Sequence, residues 1–131
     1  MFTLGKVTVS DLINLGEYIC CCVQKGIHAK EWYMLTGKLK IETNRAKVLS
    51  MIEDVKAMLL NEKENAKRAL ELVKKDSRLG WEPSMDYIGG EKAIDWKLRH
   101  LEYVLEFEVG CFVNGSHDKW YEHTGVGPRM V

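Results

Sequence analysis

Residues 44–75 read NRAKVLSMIEDVKAMLLNEKENAKRALELVKK, and the reading of this run decides the fold. Val48, Leu49, Met51, Ile52, Val55, Met58, Leu59, Ala66, Ala69, Leu70 and Val73 recur three and four positions apart. That spacing collects side chains on one side of an α-helix. Charged residues fill the positions between. Glu64 with Arg68, and Glu71 with Lys75, follow the favoured acid-before-base order at i,i+4, each pair worth ~0.2–0.5 kcal/mol. Lys74 and Lys75 stand at the end of the run, where the helix dipole favours cations. Thr43 or Asn44 is suited to cap its start. The run predicts a helix over about 44–75.

Upstream, Val9, Leu12, Ile13, Gly16, Ile19, Cys20, Val23 and Ile27 form a second stripe at helical spacing, which Trp32, Leu35 and Leu39 can extend. Ser10 before Asp11 is a reasonable N-cap, with the acid well placed in the first turn. Only Pro83 and Pro128 occur, so nothing before residue 83 carries the strongest helix breaker. Gly26 and Gly37 are the weak points, each costing ~1 kcal/mol relative to alanine. The first helix is therefore expected over about 10–40. Two helices of about 30 residues each span roughly 45 Å at ~1.5 Å per residue, and the short link between them predicts an antiparallel hairpin. The two stripes are expected to meet along its seam.

Downstream, residues 76–90 read as a loop. A third helix over about 91–109 carries Ile94, Leu98, Leu101, Leu105 and Val109, with Asp95 and Arg99 in i,i+4 order. Residues 110–131 mix Gly, Asn, Ser, His and aromatics without a period and read as an irregular tail. The expected architecture is all-α: one helical domain over 1–131, a long antiparallel helical hairpin joined by a shorter third helix as in a three-helix bundle.

Charge and cysteine content narrow the function classes. Lys+Arg and Asp+Glu are both 19, so the chain has no basic surplus for a phosphate backbone, and no nucleic-acid partner is expected. Cys20, Cys21 and Cys22 are consecutive and Cys111 stands alone, unlike the spaced framework of a secreted disulfide domain. Neighbouring residues on a helix point about 100° apart, so the triplet cannot by itself surround a metal. The expectation is small apolar residues in a reducing compartment, one or two of them buried. The N-terminus lacks a signal-peptide pattern and no apolar run reaches ~18 residues, so a cytoplasmic chain without a membrane span is expected. His28, His100, His117 and His123 share no metal-ligand spacing, and no catalytic motif or phosphate-cradling loop is present. Neither a metal nor a cofactor is expected, and no catalytic residue is assigned.

The loop is the densest in functional residue types. Asp76, Arg78, Trp81, Glu82, Asp86 and Tyr87 lie beside Gly80 and Pro83. Carboxylates, a guanidinium and an aromatic face suit a polar ligand or a sugar ring. The competing reading is structural: Gly80 near a helix end, Arg78 paired with Asp76, and Trp81 plugging the open end of the hairpin. Trp32-Tyr33 reads as a core or helix-packing aromatic pair, or, where one of them is exposed, as part of an interface.

The run ALELVKKDSRLGWEPSMDY over 69–87, followed by IDWKL over 94–98, resembles the C-terminal helical region of large bacterial proteins similar to glycoside hydrolases. The stretch DSRLGWE at 76–82 is its distinctive part, and a looser likeness reaches back to KEWY at 30–33. The resemblance implies a non-catalytic helical module of a larger carbohydrate-processing protein, whose barrel a chain of 131 residues is too short to hold. A short third helix covers only part of a long hairpin. The expected partner is thus another domain or protein, or a second copy through the hairpin. The alternatives are a small sugar- or polar-ligand-binding unit using the 76–87 loop, and a stand-alone helical adaptor.

Overall fold

A computed structural model describes residues 7–80 and 90–109. Three α-helices carry the chain: α1 over Val9–Ile41, α2 over Arg45–Lys75 and α3 over Glu91–Tyr103, the last running on into a π-helical turn at Val104–Glu108. No strand occurs among the described residues. Helices α1 and α2 pack along each other as a hairpin, and α3 lies against α2. The all-α reading therefore stands, with helix ends within a residue of expectation for α1 and α2. The tail over 110–131 lies outside the described residues.

Local chemistry accounts for the ends. Thr8, not Ser10, caps α1: its Oγ accepts from the Asp11 N–H at 3.1 Å, while the Thr8 N–H donates to Asp11 Oδ2 at 3.0 Å. The acid expected to favour the helix dipole instead completes a reciprocal capping box, which requires the cap three residues earlier. Asn44 caps α2, its Oδ1 accepting from the Ala46 and Lys47 amides at 3.0 and 3.3 Å. The third helix departs from a uniform span over 91–109. The Val109 N–H reaches Val104 O, an i→i+5 bond that widens the last turn.

Two apolar clusters make the core. One gathers Leu39, Val48, Ile52, Val55, Met58 and Leu59 with Leu101, Val104 and Val109. The other joins Cys21 to Ala69, Leu72, Val73 and Leu79, with Tyr18 and Ile94 packed against it. On α2, the buried positions 48, 52, 55, 59, 62, 66, 69 and 73 alternate by four and three, the heptad spacing of a helix seam. One of them is charged: Glu62.

The seam on α1 is not the one the apolar stripe suggests. Cys21, His28, Thr36 and Leu39 are its buried residues, with Tyr18, Trp32 and Leu35 partly buried beside the same clusters. Val9, Leu12, Ile13, Ile19, Val23 and Ile27 are all exposed, Val9 at 74% and Val23 at 59%. At 100° per residue this stripe is turned roughly 140° from Cys21. The reason lies in α2: its single buried carboxylate needs a polar partner, and α1 rotates to present His28 rather than its most apolar side.

Candidate functional site

Glu62 of α2 is 5% exposed and sits between the two apolar clusters, facing α1 and α3. His28 from α1 donates through Nδ1 to Glu62 Oε2, and Lys97 from α3 donates through Nζ to Oε1. Asn65 Nδ2 bridges Glu62 Oε2 at 3.4 Å and the Cys21 carbonyl at 2.9 Å. Gln24 Nε2 meets His28 Nε2 at 2.8 Å. The Glu62 carboxylate thus faces the Lys97 ammonium on one oxygen and the His28 ring on the other. Such a layer is tolerable in a core because its charges are paired and hydrogen-bonded.

The arrangement ties helices together more than it presents chemistry. Both carboxylate oxygens of Glu62 and both ring nitrogens of His28 are engaged within the protein. Beside this layer runs a cleft of about 520 Å³. Trp32, Met58, Leu59, Leu101 and Val104 line it together with the polar His28, Glu62, Lys97 and Glu108. The ring of His100 stacks on Trp96 at 5.4 Å between centroids. No cluster of three or more metal-ligating side chains occurs among the described residues.

Of the residues singled out in the 76–87 loop, the structure describes Asp76 and Arg78. Trp81, Glu82, Asp86 and Tyr87 lie outside the described residues. Arg78 meets Asp76 through two hydrogen bonds of 2.8 Å and approaches Asp11 at 3.5 Å, so its guanidinium ties the C-terminal end of α2 to the start of α1. The side chain of Arg78 beside Asp76 holds that carboxyl below the usual range. Hydrogen bonds from the Thr8 backbone and hydroxyl do the same for Asp11. Asp76 and Arg78 thus take up the pairing of the structural reading.

The outer face of α1 is the other feature of note. Val9, Ile13, Gly16, Cys20, Val23, Ile27, Lys30, Met34, Gly37 and Ile41 alternate four and three apart over the whole helix, with Lys30 the one charge among them. Leu12, Ile19 and Tyr33 flank them and are exposed as well. A Cβ built on Gly16, Gly26 or Gly37 meets nothing within 4 Å, so nothing in the described fold calls for glycine there. Cys20 and Cys22 are exposed and Cys21 is buried, as expected of a helical triplet. Tyr33 points outward while Trp32 packs inward, which separates the expected aromatic pair.

Sequence reasoning passed over the buried polar layer. Glu62, alone among charged residues in the α2 heptad, is the signal that could have found it. Its partners lie 34 and 35 residues away, beyond any local pattern. No helix of the described residues is long and apolar enough to cross a membrane. Comparison with known proteins finds no matching family model, no matching curated protein and no matching solved structure.

Proposed function

We propose that this chain is a non-catalytic helical docking module, in which the layer around Glu62 stiffens the bundle and the outer face of α1 receives a partner. The observation that carries the reading is the exposed heptad stripe from Val9 to Ile41. Soluble monomers rarely expose contiguous apolar patches beyond a few hundred Å². A stripe ~50 Å long at ~1.5 Å per residue, and ~10 Å wide at helix-packing distance, covers roughly 500 Å². The likeness of residues 69–98 to the helical end of large carbohydrate-processing proteins supports a setting in which the partner belongs to such an assembly. The pairing of Arg78 with Asp76 and Asp11 favours this reading over a sugar-binding loop.

The test is a photo-crosslinking amino acid placed at Val23 on the stripe, or at Lys67 on the polar side, in cells that produce the chain naturally. An adduct of defined mass from position 23 alone is the expected result. Equal labelling from both positions, or none, would remove the reading.

A further inference from the structure

We infer that the occupant of the α1 face is a second copy of this chain, bound antiparallel and in full register, an inference that rests on the docking reading above. The size of the face fits. A standard interface takes ~800 Å² from each partner, of which about 60% is apolar. That calls for roughly 500 Å² of apolar surface, the amount the stripe offers along the entire helix.

The order of residues then selects the direction. Two copies of α1 centred on residue 25 place Val23 against the partner's Ile27 at the middle of the pair. Gly16 falls against the partner's Met34, and Gly37 against the partner's Ile13. Each glycine faces a large side chain, so the two backbones approach without a void and without a clash. This supplies the missing reason for glycine at positions whose Cβ would meet nothing in the isolated fold. Without such a reason, a glycine inside a helix only costs ~1 kcal/mol. Ile19 flanks the seam opposite the partner's Tyr33, both exposed in the single chain. A parallel pair, in contrast, would set Gly16 on the partner's Gly16 and Lys30 on the partner's Lys30, leaving a gap and opposing two cations.

The antiparallel register also brings Glu17 near the partner's Glu31, twice along the rim opposite the Ile19–Tyr33 contacts. Like charges on an exposed rim weaken a complex modestly and leave its register intact. This gives the direction a signature of its own.

Sedimentation velocity of the whole chain across a concentration series tests both parts. The expected result is a species of twice the 15.1 kDa chain mass at micromolar concentrations. Val23→Lys should weaken it by at least ~100-fold with helicity by circular dichroism unchanged, because the side chain is already exposed in the single chain. Glu17→Lys should tighten it by roughly 3- to 10-fold by converting two repulsive contacts into attractive ones. A monomer at every concentration overturns the pairing, as does a dimer indifferent to Val23→Lys. A dimer that Val23→Lys disrupts but Glu17→Lys leaves unchanged overturns the antiparallel register. If the chain is monomeric yet a crosslinked adduct of another mass still forms at position 23, self-pairing fails and docking survives; if neither appears, both fail.

Discussion

Glu62 is the residue on which the three helices converge. Removing it strands a buried imidazole and an ammonium that have no comparable acceptor among their partners described here. Losing one member of a buried ion pair costs on the order of 3 kcal/mol. Glu62→Ala should therefore lower the urea-unfolding free energy by about that amount, and a loss below ~1 kcal/mol would show the layer to be incidental. Lys97→Met leaves the buried Glu62 carboxylate without its ammonium partner, so it too should be destabilising in the same assay. The cysteines offer a second reading at this scale. Burial pushes the Cys21 thiol up, and the thiolate is the reactive form. In timed alkylation at neutral pH, followed by peptide mass analysis, Cys21 should react well after Cys22, whose side chain is exposed. Equal rates would mean that the α1 seam opens freely.

Helix ends and helix faces carry different amounts of readable information. Asn44 caps α2 with two hydrogen bonds from its side chain, and Asn44→Ala should cost ~1 kcal/mol in the same unfolding assay. The capping box of α1 and the Asp76–Arg78 pair add a pH signature. Both carboxyls are held below their ordinary value, so they stabilise the fold above the unfolded value near ~3.9 and lose that contribution as pH falls through the depressed folded value. Thr8→Ala and Arg78→Gln should each move the acid-unfolding midpoint upward when helicity is followed below pH ~4; an unmoved midpoint would separate these contacts from stability. Although the cap of α1 is Thr8 rather than Ser10, the ends of α1 and α2 were legible to within a residue because the Asn44 cap and the charge order act locally. The direction in which α1 faces was not. Its most apolar stripe, Val9 to Ile27, is a valid seam by periodicity alone, whereas the face that packs carries Tyr18, Cys21, Trp32, Leu35 and Leu39 together with the pairing of His28 and Glu62. The change to a π turn at Val104 was likewise hidden, since Leu101, Leu105 and Val109 keep an ordinary helical spacing. Of the loop residues singled out, the pairing of Asp76 with Arg78 could be anticipated from their closeness in sequence; the reach of Arg78 to Asp11 could not, because it depends on how the two helices lie together.

At the scale of the whole molecule, a polar layer divides two apolar clusters and an apolar stripe lies on the outside, an inversion of the usual distribution. The glycines in that stripe separate the needs of the single chain from those of the assembly. Gly16→Ala meets no obstacle in the isolated fold and should raise monomer stability by about 0.5–1 kcal/mol in dilute urea titrations. No gain would mean that Gly16 serves a contact within the chain. One further feature concerns the passage from α2 to α3. Gly80 has φ 85°, a left-handed backbone that glycine adopts without strain, and a Cβ built there would lie 2.8 Å from the Tyr18 hydroxyl and 3.3 Å from the Gly90 amide nitrogen. Gly80, just past the end of α2, and Gly90, at the head of α3, are therefore held side by side beneath Tyr18 of α1. A side chain at position 80 would press on both the Tyr18 hydroxyl and the amide that opens α3, so Gly80→Ala should loosen all three helices at once and cost at least ~1 kcal/mol in the urea assay.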